Sequence, residues 1–292
     1  MTTPSPTHLP DFSAAFLAQL AKDDVARALA EDVGTGDLTA SLIDPTRRTR
    51  AHIVARESAV ICGAAWVEAA ILELDPSAKL NWLVGEGERC EADDVVLQID
   101  GLAGALLSAE RTALNFLQLL SAVATKTAQY VAVVEGTRAK IVDTRKTLPG
   151  LRLAQKYAVA CGGGTNHRIG LYDAVLIKEN HIAAAGGIPA VLKKAAELAP
   201  HAKFIEIEVE TLVQLTEALD VGAQMVLLDN MSVPTLLKAV LINDGRAVLE
   251  ISGGVTLDGL RTLAETGVDR ISIGTLTKDV KAIDFSMRFE AD

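Results

Sequence analysis

The stretch FIEIEVE, residues 204–210, sets Ile205, Ile207 and Val209 on one side of an extended chain and Glu206, Glu208 and Glu210 on the other. Such a strand is either a solvated edge or part of a sheet whose charged face looks into a site, and the flanking sequence decides between them. Short apolar runs at Lys140–Val142, Ala174–Ile177, Phe204–Val209, Met225–Leu228, Ala247–Ile251 and Arg270–Ile273 alternate with helical stretches, about six β/α units in all. This alternation predicts an α/β fold with a parallel sheet flanked by helices, where a solvated face is scarce. The carboxylates are therefore expected to face inward, with Glu208 the strongest functional candidate of the three. Ligands of parallel sheets sit at the carboxyl ends of the strands, whether the sheet closes as a barrel or stays open.

The first part of the chain has a different character. After the Pro-rich tail MTTPSPTHLP, Phe12–Asp32 reads as an amphipathic helix, with Phe12, Phe16 and Leu20 at helical spacing. Strand candidates at Ala51–Arg56, Leu80–Val84 and Val95–Ile99, a helix at Ala64–Leu74 and a turn at Gly85-Glu86-Gly87 describe a small α+β region. An Ala- and Leu-rich helical stretch from Ser108 to about Val134 leads into the second half.

Composition narrows the function classes. A net charge of -10 argues against a general nucleic-acid or anionic-membrane surface, so basic residues gathered at a site stand out. Every apolar run is broken by charge short of the roughly 18 residues needed to span a bilayer, and the N-terminal stretch lacks a basic start. A soluble cytoplasmic protein with no membrane or nucleic-acid partner is expected. Cys62, Cys90 and Cys161 are widely spaced, with no metal-ligand spacing, and read as reduced thiols rather than a disulfide or zinc framework.

All six strand ends carry polar residues: Asp143-Thr144-Arg145-Lys146, Lys178-Glu179-Asn180-His181, Glu208 and Glu210, Asp229-Asn230, Ser252-Gly253-Gly254, and Gly274-Thr275. Either glycine turn alone reads as ordinary punctuation, but the pair after the last two strands favours phosphate bound through backbone N–H groups. Glu208 and Asp229 suit Mg²⁺ or sugar hydroxyls, since no thiolate or His cluster accompanies them; structural ion pairing is the competing role. Arg145, Lys146, Arg168 and Lys178, with His167 and His181 nearby in sequence, suggest a pocket for a substrate with several negative charges. Gly162–Thr165 lacks the Lys and spacing of a P-loop, and no G-x-G-x-x-G or G-x-S-x-G is present. The residues thus support an Mg²⁺-dependent enzyme acting on a phosphate-bearing and otherwise anionic substrate pair.

The blocks EDVGTGDLT (31–39), ERTALNFLQLLS (110–121), DTRKTLPGLR (143–152), KYAVACGGGTNHRIGLYDAVLIKENH (156–181), EVE (208–210), LLDN (227–230), ISGG (251–254) and ISIGTLT (271–277) resemble, in this order, the quinolinate phosphoribosyltransferase family. The resemblance runs from Glu31 to Phe285. It implies an N-terminal α/β sandwich over residues 1–118, joined by 282–292, and an incomplete α/β barrel over 119–281, in a homodimer with sites at the subunit boundary. The activity implied joins quinolinate to phosphoribosyl pyrophosphate, giving nicotinate mononucleotide, pyrophosphate and carbon dioxide in de novo NAD biosynthesis.

By the same resemblance, Arg145, Lys146, His167, Arg168 and Lys178 surround the quinolinate carboxylates and the pyrophosphate, with Arg111 entering from the neighbouring subunit. Glu208 and Asp229 hold the ribose hydroxyls and Mg²⁺, directly or through water or substrate. Ser252, Gly253, Gly254 and Gly274 hold the 5′-phosphate. Lys146, Lys178, Glu208 and Asp229 are the expected catalytic group. Ile251 stands where the family more often has Ala, and Ala122-Val123 where Gly-Ile is usual; both bear on packing rather than chemistry. The alternatives are a related phosphoribosyltransferase for another ring, nicotinate above all, and a non-catalytic binder of a phosphate ligand. The number of cations exceeds what one carboxylate needs.

Overall fold

Ser13 opens the first helix, its hydroxyl accepting the Phe16 N–H at 3.4 Å and so satisfying one unpaired donor of α1 (Ala14–Asp32). The structure, a computed structural model, describes residues 12–290; the tail MTTPSPTHLP lies outside the described residues. After α1 come β1 (Arg48–Ala55), β2 (Ala59–Val60), α2 (Ala64–Leu74), β3 (Lys79–Trp82), β4 (Arg89–Cys90), β5 (Val95–Leu102) and α3 (Ala103–Val133). The chain continues with β6 (Lys140–Val142), α4 (Arg152–Cys161), β7 (Val175–Ile177), α5 (Glu179–Ala185), α6 (Ile188–Leu198), β8 (Ile205–Val209) and α7 (Leu212–Asp220). It ends with β9 (Met225–Asp229), α8 (Val233–Asn243), β10 (Val248–Ser252), α9 (Leu257–Ala264), β11 (Arg270–Ser272), α10 (Thr275–Lys278) and β12 (Phe285–Phe289).

Two compact units divide these elements. One gathers, among the described residues, 12–128, 148–163 and 276–290 around an antiparallel sheet of order β12-β1-β5-β3. Its register pairs Ile53 with Leu97 and Met287, and Ala51 with Ile99 and Phe289. Ala51, Ile53, Leu97, Ile99 and Met287 are buried, whereas the alternate residue Gln98 is exposed, the pattern of a sheet covered on one face. The α3 stripe of Leu106, Ala109, Ala113, Leu114, Leu117 and Leu120 is buried within the same unit. This helix begins at Ala103, earlier than its Leu-rich pattern indicates, because β5 stays paired with β1 to Leu102 and runs straight into it.

The second unit, residues 129–147 and 164–275 among those described, holds a parallel sheet of order β6-β11-β10-β9-β8-β7. Its six strands lie within one residue of the apolar runs noted above. They are short and rich in Val, Ile and Leu because helices cover them: Ile207, Val209, Val226, Leu228, Leu249 and Ile271 are all essentially inaccessible. The sheet does not close, since β6 and β7 are its two edges, so the architecture is an incomplete α/β barrel. At the β6 edge, Thr165 forms a one-residue parallel bridge with Val142: the Thr165 N–H donates to Ile141 O at 2.8 Å, and the Asp143 N–H donates to Thr165 O at 3.0 Å.

In the antiparallel unit, Asp24 of α1 is buried and accepts the Trp66 Nε1–H of α2 at 3.0 Å, with Arg27 also on its carboxylate. Burial raises its pKa, against the opposing effect of Trp66 and Arg27. Asp24→Ala would leave a buried indole N–H without its acceptor, a loss of about 1–3 kcal/mol. We expect a lower urea midpoint for this variant; an unchanged midpoint removes the bond from any account of stability.

Candidate active site

The end of β6 carries the residue that organises the site. Asp143 is fully buried; one carboxylate oxygen accepts the His167 backbone N–H at 2.8 Å and the other the Asn166 Nδ2–H at 2.6 Å. A buried carboxylate requires such donors, and here they come from the chain that covers the β6 edge. Beyond His167, Asp173 accepts the N–H groups of Ile169 and Gly170, both at 2.8 Å, and pairs with Lys203 at 3.7 Å. Segment 166–173 is thus pinned at both ends.

That pinning brings cations together. Burial, and then the charge of neighbouring Arg145, lower the pKa of Arg168; Asp173 and Glu206 act in the opposite direction. An arginine stays protonated regardless, so the shift reports mainly the burial of a guanidinium with a second one nearby, an arrangement that a bound anion relieves. Lys146 lies across Gly274 at the end of β11: a Cβ there would stand 3.0 Å from Lys146 Cδ and 3.5 Å from Thr144 Oγ1. Gly253, at φ +102°, likewise lies against Asn230, whose N–H donates to Ser252 O at 3.2 Å. The turn after β10 is thereby tied to the turn after β9.

The opposite side is acidic. Lys178 Nζ donates to Glu208 Oε2 at 2.8 Å, with half the lysine side chain exposed, so solvent screens the pair. A hydrogen bond to Glu179, then the charge of Glu179, raise the pKa of Glu210, and Asp229 and Glu208 add to the effect. The ends of β7, β8 and β9 therefore gather more negative charge than Lys178 balances, all of it on hard oxygen donors. The His181 ring, by contrast, caps α5 by accepting the Lys178 N–H at 2.9 Å.

Beneath the site lies a charged layer that the sequence did not reveal. His167 Nε2 lies 2.8 Å from Glu206 Oε2 and 3.6 Å from Glu250 Oε1, and Arg270 Nε donates to Glu250 Oε2 at 2.7 Å. Glu206 and Glu250 are fully buried. Burial, then Glu250, push the pKa of Glu206 up to about 7. Burial opposes the imidazolium of His167, but Glu250 and Glu206 outweigh it, so that pKa is raised too. Both shifts describe one retained proton. Because His167 Nδ1 accepts the Arg168 N–H at 2.8 Å, Nε2 carries the ring proton toward Glu206, and the retained proton belongs to the His167–Glu206 pair.

The family models for the N-terminal and C-terminal domains of quinolinate phosphoribosyl transferase match residues 37–121 and 123–288. The chain belongs to the quinolinate phosphoribosyltransferase family. It is 43% identical over 257 residues to the probable nicotinate-nucleotide pyrophosphorylase [carboxylating] of Bacillus subtilis, covering 88% of this chain and 89% of that protein. It is 38% identical to the decarboxylating quinolinate phosphoribosyltransferase 2b of Nicotiana tabacum, over 93% of this chain and 82% of the relative. The solved nicotinate-nucleotide pyrophosphorylase of Francisella tularensis superposes with a TM-score of 0.91 at 41% identity, over 99% of this chain and 100% of that one. Human nicotinic acid phosphoribosyltransferase, at 12% identity and a TM-score of 0.56, shares the fold.

For this member of the family, the parallel unit brings Arg145, Lys146, Arg168, Lys178, Glu208, Asp229, Ser252, Gly253, Gly254 and Gly274 to the carboxyl ends of one sheet. His167 is placed lower, in the buried layer, with both ring nitrogens engaged. Arg111 lies exposed on α3 in the other unit, and its side chain makes no hydrogen bond or ion pair, with Glu110 or otherwise, among the described residues. The row Glu206, Glu208, Glu210 shares a direction but not a role: it passes from a buried network, through a partly exposed ion pair, to an exposed rim. Asp143 and Glu206 were expected at a strand end and on an inward face without a stated role, and Glu250 and Arg270 were not singled out. Charged residues inside apolar strand runs were the available signal.

The retained proton has a sign that can be checked. Glu206 titrates near 4.5 when unfolded and at about 7 in the fold, so the folded chain binds more protons across that window and stability falls as pH rises through it. The raised pKa of His167 acts in the same sense. We expect thermal stability to decline from about pH 5 to pH 7 and Glu206→Gln to flatten that decline. Parallel profiles for the two proteins would show that the proton lies elsewhere.

Proposed function

We propose that this chain is a decarboxylating quinolinate phosphoribosyltransferase, converting quinolinate and phosphoribosyl pyrophosphate into nicotinate mononucleotide, pyrophosphate and carbon dioxide for de novo NAD synthesis. The observation that carries the reading is the gathering of Arg145, Lys146, Arg168 and Lys178 at the strand ends of a chain 38–43% identical to proteins named nicotinate-nucleotide pyrophosphorylase or quinolinate phosphoribosyltransferase. A ring with two carboxylates matches this surplus of cations better than nicotinate, which has one. No helix among the described residues is long and apolar enough to cross a membrane. A cytoplasmic homodimer completes the proposal.

In this mechanism Arg145, Lys146, Arg168 and Lys178 orient the anionic substrates and stabilise charge on departing pyrophosphate as the bond from ribose C1 to oxygen breaks. The pyridine nitrogen then bonds to C1. The resulting pyridinium accepts the electron pair left when the 2-carboxylate departs as carbon dioxide, and C2 takes up a proton. Glu208 and Asp229 hold ribose hydroxyls, while the turns at Ser252–Gly254 and Gly274 offer backbone N–H groups to the 5′-phosphate. The oxygen-only donor set at the ends of β7, β8 and β9, with its unbalanced negative charge, fits Mg²⁺, which Glu208 and Asp229 would hold. When bound, Mg²⁺ supplies charge neutralisation for the leaving pyrophosphate.

Carbon dioxide release from carboxyl-labelled quinolinate should require phosphoribosyl pyrophosphate and Mg²⁺, and nicotinate should be used more slowly; equal or faster use of nicotinate overturns the assignment. Lys146→Ala and Arg168→Ala should each lose about 1.5–3 kcal/mol of transition-state stabilisation, roughly ten- to a hundredfold in kcat/KM. Near-wild-type kinetics would remove either from the site.

The shared-site proposal is tested by mixing. Homodimers of Arg111→Ala or of Lys146→Ala each have two damaged sites, whereas a mixed dimer has one intact site and one doubly damaged site. Random exchange makes about half of the dimers mixed, so activity should recover to roughly a quarter of wild type. Subunit exchange without recovery would place Arg111 in its own chain's chemistry or outside it.

A further inference from the structure

We propose that Cys62, Glu86 and Cys161 form a binding site for a thiophilic divalent cation of the zinc class, separate from the strand-end chemistry. Spacing along the chain hides it, because the ligands come from three segments. The two Sγ atoms and a Glu86 carboxylate oxygen all lie within 4.8 Å of one another. Tetrahedral thiolate and carboxylate ligands of Zn²⁺, at ~2.3 and ~2.0 Å from the metal, stand roughly 3.5–3.8 Å apart, so a modest side-chain contraction suffices.

The ligands are held from behind. Glu86 Oε1 accepts the Gly63 N–H at 2.9 Å and Oε2 accepts the Ala64 N–H at 3.0 Å, which fixes the carboxylate at the start of α2. The backbone of Cys62 is clamped by Ser121, whose Oγ accepts the Cys62 N–H at 3.0 Å and donates to the Cys62 carbonyl at 3.1 Å. Cys62 is buried, whereas Cys161, the last residue of α4, is partly exposed and gives a route of entry. Such outer partners orient metal ligands.

Thiols must lose their protons to ligate a cation, so the site binds more tightly as pH rises. Softness separates it from the carboxylates of the strand ends, which suit Mg²⁺.

The full chain, stripped with chelator and kept reduced, should bind one equivalent of Cd²⁺ with a thiolate-to-metal charge-transfer band. Zn²⁺ should abolish the band by competition and Mg²⁺ should not. Cys161→Ser and Cys62→Ala should each weaken binding more than about a hundredfold, and Cys90→Ala not at all. Absence of the band in the wild-type chain, its persistence in Cys161→Ser, or its loss in Cys90→Ala would overturn the site. Cys161→Ser, altered at a partly exposed position, keeps the test independent of any folding defect in Cys62→Ala.

Discussion

Two hydrogen bonds to one buried carboxylate, from the His167 N–H and the Asn166 side chain to Asp143, join the edge of an unclosed sheet to the chain that fills its gap. A parallel sheet with free edges must cover them, and β6 is covered by the bridge at Thr165 rather than by a neighbouring strand. The next residues then turn toward the strand ends, where Asp143 is waiting with no access to water. Each part requires the other: the carboxylate needs donors in place of solvent, and the segment needs an acceptor for its N–H groups. Their joint position determines where Arg168 stands relative to Arg145.

From that constraint follows a division of charge. Guanidinium and ammonium groups collect at the ends of β6 and in the segment filling the gap, and carboxylates collect at the ends of β7, β8 and β9. Lys178 and Glu208 meet between the two. A substrate pair with carboxylates at one end and a pyrophosphorylated sugar at the other offers a counterpart to each. Against the net acidity of the whole chain, the cationic region is a local feature.

Much of this is legible in the amino-acid sequence. Strand runs of Val, Ile and Leu, interrupted by helices, located the barrel strands because burial on both faces imposes an apolar pattern. Polar residues directly after those runs located the strand-end cations and carboxylates, since chain connectivity alone places them there. Strand order was not legible: β6 lies beside β11, distant in sequence, while its sequence neighbour β7 forms the opposite edge. Nor was the meeting of Cys62 with Cys161, for which no spacing rule exists. Charge within a strand was misread in one respect. Glu206 and Glu208 have the same alternation and the same side-chain chemistry, yet depth along the strand separates a buried network from a solvent-facing ion pair.

That depth raises the question of why a barrel interior carries His167, Glu206, Glu250 and Arg270 where aliphatic side chains would fill the space. Buried ion pairs are seldom more stabilising than apolar residues of the same volume, because desolvation offsets most of their attraction. Stability therefore does not explain the layer; orientation does. Glu250 and Arg270 are paired across adjacent strands in direct register, which fixes both without any adjustable loop. Glu206 and Glu250 in turn present carboxylate oxygens to one ring nitrogen of His167, and the Arg168 N–H occupies the other. An aliphatic layer would allow the ring to rotate and the backbone between His167 and Arg168 to relax with it. The charged layer instead locks the imidazole, its tautomer and the peptide that carries the Arg168 guanidinium, so rigidity beneath the site is converted into position at its surface.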